Sequence, residues 1–166
     1  MIVALGLTLG ARAQTPVVAR RPNPPAAPTQ PLPYSHRQHL ELGLECADCH
    51  VNPDDGPLMT FPDTETCLSC HESMPASAAT LKRLIASRAS ETPVPWVRIY
   101  RLADYVYWSH STHIAEGIAC ATCHGPVAER DTMTLETNVT TKQGCVTCHE
   151  ARQALSDCGA CHEPRQ

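Results

Sequence analysis

Apolar positions in this chain seldom recur with the period of a helix, and one stretch is the clear exception. Over residues 75–90, Leu81, Leu84 and Ile85 fall on a single helical face, while charged side chains lie elsewhere. Pro75 stands at the first turn, where its fixed φ and missing N–H are tolerated. The pattern predicts an amphipathic helix over 75–90.

Elsewhere the pattern indicates short or irregular elements. Residues 93–102 alternate apolar and polar side chains after two prolines, which predicts a short extended segment. Residues 51–66 contain turn-forming residues, and residues 129–143 are polar, which predicts two loops. Residues 14–33 hold seven prolines and no hydrophobic period; they predict an extended tether, with a disordered N-terminus as an equal alternative. The predicted fold class is mainly α with much irregular structure.

The first residues indicate export. Residues 1–13 combine a short apolar run with small residues at Ala11 and Ala13, which predicts a secretory signal peptide cleaved after Ala13. The signal lacks a basic beginning, so we expect it to be truncated at its start. Its apolar run is shorter than the roughly 20 residues that a membrane-spanning helix needs. The predicted location is periplasmic or extracellular.

The composition of the chain does not provide the large apolar side chains that usually fill a protein core. The 166 residues include 15 prolines and 8 glycines but one phenylalanine, so large apolar side chains are too few for a conventional core. Another apolar component is therefore needed in the interior. The net charge is −4 and no basic run is present, which argues against nucleic acid as a partner.

The ten cysteines identify that component. Each belongs to one of five Cys-x-x-Cys-His units, and none is left over. Two such cysteines can form thioethers with the vinyl groups of a haem, and the adjoining histidine is then the proximal iron ligand. A zinc or disulfide scaffold is the alternative, but it does not require a histidine after every second cysteine. The sequence predicts five covalently bound haem c groups, held by Cys46, Cys49 and His50; Cys67, Cys70 and His71; Cys120, Cys123 and His124; Cys145, Cys148 and His149; and Cys158, Cys161 and His162.

An internal repeat divides the chain into two haem modules. The segment 35–50 recurs at 109–124, and both copies read Ser-His-x-x-His before a Cys-x-x-Cys-His unit. We predict a first module over 34–74 with two haems and a second over 107–166 with three. Residues 75–106 connect them. Most of the aromatic residues lie at the end of this connection and the start of the second module, and we expect them to pack against haem faces: Trp96, Tyr100, Tyr105, Tyr107 and Trp108.

The histidine count distinguishes one haem from the other four. Five of the nine histidines are proximal, and the others form two His-x-x-His pairs, His36 with His39 and His110 with His113. Residues three apart share a helical face, so these four histidines are predicted distal ligands. Five haems with two histidines each would need ten. The remaining haem, expected at the fourth or fifth motif, would have an empty position or a methionine ligand, with Met133, Met59 and Met74 as candidates.

These motifs resemble a known family. The pattern His-x-x-His-x6-Cys-x-x-Cys-His is similar to the class III multihaem cytochromes c and their smaller cytochrome c7-like relatives. Residues 96–125 also resemble the pentahaem cytochrome subunit of the quinol-oxidising alternative complex III. The resemblance implies a small multihaem cytochrome fold of two modules around packed haems. It also implies that His36 and His110 serve the haems that follow them, while His39 and His113 serve others.

The predicted function is electron transfer rather than catalysis. We expect an exported pentahaem c-type cytochrome that carries single electrons between redox partner proteins in the periplasm. One alternative is an electron-transfer subunit of a membrane quinol-oxidising complex. A second is a multihaem reductase with one open haem, which is disfavoured because a short chain that holds five haems has little polypeptide left to form a substrate cavity.

Overall fold

A computed structural model describes residues 25–52, 58–73, 77–136 and 138–163. Within these ranges the regular structure is helical and no strand occurs, which confirms the predicted mainly α fold with much irregular structure. Two short 3-10 helices span Cys46–Asp48 and Val127–Glu129. The seven α-helices are α1 His36–Glu41, α2 Thr64–His71, α3 Ala78–Ala89, α4 His110–Ala115, α5 Cys120–His124, α6 Lys142–Ala151 and α7 Cys158–His162.

Side-chain caps determine where most of these helices begin. Six of the seven α-helices follow a Ser, Thr or Asp whose side-chain oxygen accepts a hydrogen bond from a backbone N–H in the first turn. Such a cap stabilises a helix by about 1 kcal/mol, which matters for helices of five or six residues that are marginal alone. The capping residues are Ser35, Asp63, Ser77, Ser109, Thr141 and Asp157.

The helix predicted over 75–90 is observed as α3, Ala78–Ala89. It begins three residues later than predicted because Ser77 caps it, and Pro75 lies outside the described residues. Leu84 is buried, but Ile85 is 45% exposed. The reason is that α3 packs against α2, which covers a narrower stripe than the predicted apolar face.

The buried core of the described residues is very small. It consists of three leucines, Leu32, Leu68 and Leu84, with four partly buried neighbours. Three buried leucines are too few to offset the entropy lost on ordering the residues that the structure describes. The core therefore agrees with the expectation that a bound apolar group completes the interior. The partly buried neighbours are Cys67, Leu81, Val94 and Trp96.

The end of the proline-rich stretch differs from the predicted tether. Leu32 is one of the core leucines, and the Gln30 side chain both donates to the Val97 carbonyl and accepts from the Val97 N–H, at 2.9 Å each. Arg83 of α3 donates to the Pro31 carbonyl. These contacts hold the stretch on the surface of α3 and the segment after it. The predicted signal peptide and the beginning of the tether, residues 1–24, lie outside the described residues.

The two predicted modules contact each other through α1. This helix packs against the 3-10 helix Val127–Glu129, and the Arg37 N–H donates to the Arg130 carbonyl at 3.0 Å. Asp131 accepts from the Ser35 hydroxyl at 2.6 Å and pairs with the Arg37 guanidinium at 2.5 Å. The beginning of the first module is thus joined to the loop after the third motif. In the described part of the chain no helix is both long enough and apolar enough to span a membrane.

Candidate haem-binding site

The repeated Ser-His-x-x-His unit fixes the ring of its second histidine. Ser35 caps α1 and Ser109 caps α4, and their carbonyls accept hydrogen bonds from Nδ1 of His39 and Nδ1 of His113, at 2.8 Å in both cases. An imidazole that donates from Nδ1 keeps its lone pair on Nε2, which is then available to a metal ion. The local sequence therefore holds both rings in a form that can bind iron.

The first histidine of each unit lies opposite the histidine of the motif that follows it. The ring centroids of His36 and His50 are 6.3 Å apart, and those of His110 and His124 are 6.4 Å apart. A metal-bound imidazole nitrogen lies about 2 Å from the metal, and the ring centre lies about 1 Å beyond it, so two trans imidazoles have centroids about 6 Å apart. The spacing in both pairs fits one haem iron.

The second histidine of each unit lies opposite a different motif. His39 and His71 have ring centroids 6.0 Å apart, and His113 and His149 have centroids 6.1 Å apart. Both distances again fit a single iron between two imidazoles. The four non-motif histidines are thus brought to the first four motifs, one to each, in the pattern that the resemblance implied. Their role as iron ligands stays a prediction.

Backbone carbonyls also orient several of the motif histidines. Nδ1 of His50 donates to the Thr60 carbonyl at 2.8 Å, and Nδ1 of His149 donates to the Leu155 carbonyl. These bonds leave Nε2 as the metal-binding atom, as in the second histidines of the repeat. Thr60 belongs to the predicted loop 51–66, so that loop has a role in orienting a ligand.

Electrostatics keeps the buried imidazoles neutral. Burial lowers the pKa of His36 to about 4, and the neighbouring His50 and His39 lower it further. Burial likewise lowers the pKa of His124, with His110 and His50 as the next causes. The neutral imidazole is the form that binds iron, so both residues are ready to act as ligands near pH 7.

The fifth motif has a different neighbour. His162 donates from Nδ1 to the Tyr105 carbonyl at 3.0 Å, and the Tyr105 ring lies 5.7 Å from the His162 ring. The Tyr107 N–H donates to the Cys161 carbonyl at 2.8 Å, which holds the same segment against α7. Because the four non-motif histidines lie opposite the first four motifs, the fifth is the one expected to have a different sixth ligand.

The candidate methionines lie beside other motifs. The Met59 carbonyl accepts from Arg98 at 3.2 Å, and Met59 precedes Thr60, the partner of His50. Met133 is half-buried, and the next residue, Thr134, accepts from Tyr100 beside the third motif. Met74 lies outside the described residues. The proposed thioether ligand stays a prediction.

The thiols of the first and third motifs are in direct contact. Burial raises the pKa of Cys46, and the next cause is the Cys120 thiol, with which it shares a hydrogen bond. These two positions are equivalent in the repeat, since each is the first cysteine of its repeated segment. A contact between equivalent positions is what a two-fold axis between repeated units produces. The two modules therefore meet at their first haem motifs.

The remaining thiols show which other motifs are neighbours. Burial raises the pKa of Cys67, and the Cys49 thiol raises it further, which joins the second motif to the first. Burial raises the pKa of Cys123, and the Cys148 thiol raises it further, so the third motif neighbours the fourth. The pKa of Cys145 is likewise raised by burial and then by Cys161, which joins the fourth motif to the fifth.

A partly buried polar cluster surrounds the third motif, and sequence reasoning missed it. The Tyr100 ring lies edge-on to His124, with centroids 4.5 Å apart, and the Tyr100 hydroxyl accepts from the Glu136 N–H at 2.9 Å. Arg130 pairs with Glu136, at 12% and 16% side-chain exposure, and also donates to the His124 carbonyl. Gly125 has φ +71°, and a Cβ there would lie 2.7 Å from Glu136 Oε1, so only glycine fits. Charged residues scattered along a polar loop gave no signal for this cluster.

A repeated aromatic position was also missed. Tyr34 and Trp108 each directly precede a repeated segment, and each ring contacts both histidines of the pair that follows it. Trp108 was expected to pack on a haem face, and its contact with both His110 and His113 was not anticipated. Extending the repeat by one position toward the N-terminus would have identified the aromatic pair.

Comparisons with known proteins find multihaem cytochrome families in both halves of the chain. A family profile described as "Cytochrome c3" matches residues 38–95, and one described as "Cytochrome c7 and related cytochrome c" matches residues 106–163. Over 97 residues the chain is 33% identical to the "Menaquinone reductase, multiheme cytochrome c subunit" of Nitratidesulfovibrio vulgaris. That alignment covers 57% of this chain and 45% of the relative. Residues 38–95 hold two Cys-x-x-Cys-His units, and residues 106–163 hold three.

Proposed function

The chain belongs to the class III-type multihaem cytochromes c, and on that premise we propose that it is a pentahaem electron carrier. Bound haem c supplies one-electron redox chemistry, while the polypeptide supplies attachment, axial ligands, spacing and electrostatics. The observation that carries the proposal is the set of four histidine pairs with ring centroids 6.0–6.4 Å apart, which matches the spacing of two ligands on one iron.

The proposed ligand sets follow these pairs. His36 and His50 hold the first iron, and His110 and His124 hold the third. The second iron takes His39 with His71, and the fourth takes His113 with His149. His162 holds the fifth from one side. Two imidazoles on one iron give a closed, low-spin site, which suits electron transfer better than substrate binding.

The proposed spatial order of the haems is second, first, third, fourth, fifth. It follows the pairs of neighbouring thiols. The second motif neighbours the first, the first neighbours the third, the third neighbours the fourth, and the fourth neighbours the fifth. The pairs are Cys67 with Cys49, Cys46 with Cys120, Cys123 with Cys148, and Cys145 with Cys161. The α2–α3 unit then lies at one end of the series, and α7 with Tyr105 lies at the other. A single file with two ends is the arrangement that an electron wire between two partners requires.

We further propose that the protein acts outside the cytoplasm. The apolar run before Ala13 supports export, and in bacteria haem is attached to Cys-x-x-Cys-His motifs on the outer side of the cytoplasmic membrane. N-terminal sequencing of periplasmic holoprotein should begin at Gln14 or close to it. Holoprotein that retains residues 2–13 would contradict the signal peptide.

A second candidate is a subunit of a membrane-bound quinone-linked complex. The relative that favours it is named as a subunit of a menaquinone reductase, and it is 33% identical over the matched 97 residues. Purification in mild detergent separates the two candidates. Co-purification with integral membrane subunits supports the complex, whereas a monodisperse soluble cytochrome supports the free carrier.

Mass and spectroscopy test the central proposal together. The intact mass of the denatured protein should include five haem groups, and a gel stained for haem peroxidase activity should show them bound covalently. Low-temperature paramagnetic resonance of the oxidised protein should show four bis-imidazole irons and one other. A stoichiometric zinc content with no haem, or five haems without four bis-imidazole signals, would sink the proposal.

A further inference from the structure

A single aromatic ring in the first module touches two histidines that face different motifs. The Tyr34 ring lies edge-on to His36, with centroids 4.8 Å apart and planes at 85°. It also stacks on His39, with centroids 4.3 Å apart and planes at 26°. His36 faces the first motif and His39 faces the second. Tyr34 is therefore in contact with the proposed distal ligands of two neighbouring irons.

The second module repeats this arrangement with a different ring. Trp108 lies edge-on to His110, with centroids 4.1 Å apart and planes at 88°, and stacks on His113 at 4.9 Å and 20°. The order of edge contact and stacked contact is the same as for Tyr34. Because a phenol and an indole adopt the same geometry at equivalent positions of the repeat, the arrangement follows from the fold of the unit rather than from one side chain.

The surroundings of Tyr34 include thiols of two attachment sites. The ring is half-buried, and burial raises the pKa of Tyr34 to about 12, with the Cys49 and Cys67 thiols as the next causes. Cys49 belongs to the first motif and Cys67 to the second. Tyr34 thus neighbours both motifs, and its ring contacts both of their proposed distal ligands.

Edge-on and stacked contacts are the geometries that aromatic rings prefer, so a ring held in both restricts the rotation of two imidazoles at once. The plane of an axial imidazole sets the energies of the iron d orbitals with which it overlaps. Second-shell groups that orient a histidine therefore tune the metal that it binds. A substitution of Tyr34 or Trp108 should therefore change the electronic properties of two irons at once.

We propose that Tyr34 and Trp108 are positioning residues, each of which orients the distal ligands of two adjacent haems and so couples the first haem to the second and the third to the fourth. This inference rests on the proposed function, because it takes the four histidine pairs as iron ligands.

The test uses the holoprotein with Trp108→Leu and Tyr34→Leu. Paramagnetic resonance and a spectroscopic redox titration are recorded for each variant. Signals are first assigned with His110→Met and His113→Met, each of which should remove one bis-imidazole signal. We expect Trp108→Leu to displace the signals and midpoint potentials of the third and fourth haems together and to leave the first and second in place. Tyr34→Leu should do the reverse. Tyr107→Leu, which removes a half-exposed ring next to Trp108, should displace neither pair.

Each outcome decides between the inference and its premise. Displacement of one signal of a pair, or of none, in a variant that retains five haems overturns the inference while the ligand assignment stands. A wild-type protein without four bis-imidazole signals overturns the proposed function instead. If Trp108→Leu fails to incorporate five haems, Trp108→Phe is used instead. This smaller ring should displace the signals of the third and fourth haems together, by less than Trp108→Leu would. No displacement of either signal would contradict the coupling.

Discussion

The imidazole rings of His110 and His124 are parallel within 4°, whereas those of His39 and His71 are inclined at 62°. The other two pairs show the same contrast: the angle between the ring planes is 13° for His36 with His50 and 44° for His113 with His149. The first histidine of each repeat thus gives a near-parallel pair, and the second gives an inclined pair. If the four pairs ligate iron as proposed, the repeat encodes two kinds of iron site.

Paramagnetic resonance should distinguish these two kinds. Near-parallel imidazoles lift the degeneracy of the iron d orbitals and give ordinary rhombic low-spin spectra, whereas strongly inclined imidazoles give a more anisotropic low-spin signal. We expect two irons of each kind in the oxidised protein. Replacement of His110 by Met should remove a rhombic signal, and replacement of His39 by Met should remove an anisotropic one. Four identical signals would contradict the observed ring angles.

Local sequence was sufficient to identify the haem motifs and the candidate distal histidines, because both depend on short, fixed spacings. It was not sufficient to pair His39 with His71 or His113 with His149. A helical turn places two histidines on one face, but the motif that lies opposite depends on packing between segments far apart in the chain. The contact of Cys46 with Cys120 is of the same kind, since no local pattern predicts which repeats meet.

The core shows a second limit of sequence reasoning. Leu32 lies in a proline-rich stretch with no hydrophobic period, so its pattern gave no reason to expect burial. Leu32 packs in a cluster with Leu68 and Leu84, and the nearby Gln30 side chain pairs with the Val97 backbone, so the contacts of this stretch are with residues far along the chain. By contrast, the Asp157 cap before α7 was predictable because capping depends on a few adjacent residues.

The fifth haem should be the one that differs. All four non-motif histidines face other motifs, and the ring beside His162 belongs to Tyr105. We expect the odd spectroscopic signal to disappear in His162→Ala and to persist in Met133→Leu, because the residue after Met133 contacts Tyr100 beside the third motif. Near-infrared dichroism and paramagnetic resonance measure both results. If Met133→Leu alone abolishes the signal, Met133 is the sixth ligand after all.

Carbon monoxide gives an independent measurement at the same site. If the sixth position of the fifth haem is open, the reduced protein should bind one carbon monoxide per chain, and the four bis-imidazole haems should not bind it. Optical titration of the reduced protein counts the bound ligand, and His162→Ala serves as the matched variant. Binding of several equivalents would indicate that some of the four histidine pairs do not ligate iron.

Gly144 should tolerate no side chain. A Cβ at this buried position would lie 2.1 Å from the Asn138 carbonyl and 2.7 Å from the Val139 carbonyl, both of which belong to the backbone. Gly144→Ala should therefore lower the free energy of unfolding by about 2 kcal/mol or more and reduce attachment at Cys145. Denaturant unfolding and haem content measure the two effects. Gly159→Ala is the control, because its Cβ would meet the movable end of Glu163 and alanine favours a helix.

The last prediction concerns the pH dependence of the contact between modules. Hydrogen bonds from Ser35 and then from Arg37 lower the pKa of Asp131. A carboxyl group with a lowered pKa in the folded state stabilises the protein above its unfolded pKa, about 3.8, and loses that contribution as the pH falls through the folded value. Asp131→Asn should therefore be less stable than the wild type near pH 7, and the difference should vanish as the pH falls well below 4. Thermal unfolding followed by far-ultraviolet dichroism measures this convergence, with Asp104→Asn as the control. A difference that stays constant from pH 7 down to pH 2 would show that the carboxylate charge of Asp131 does not join the modules.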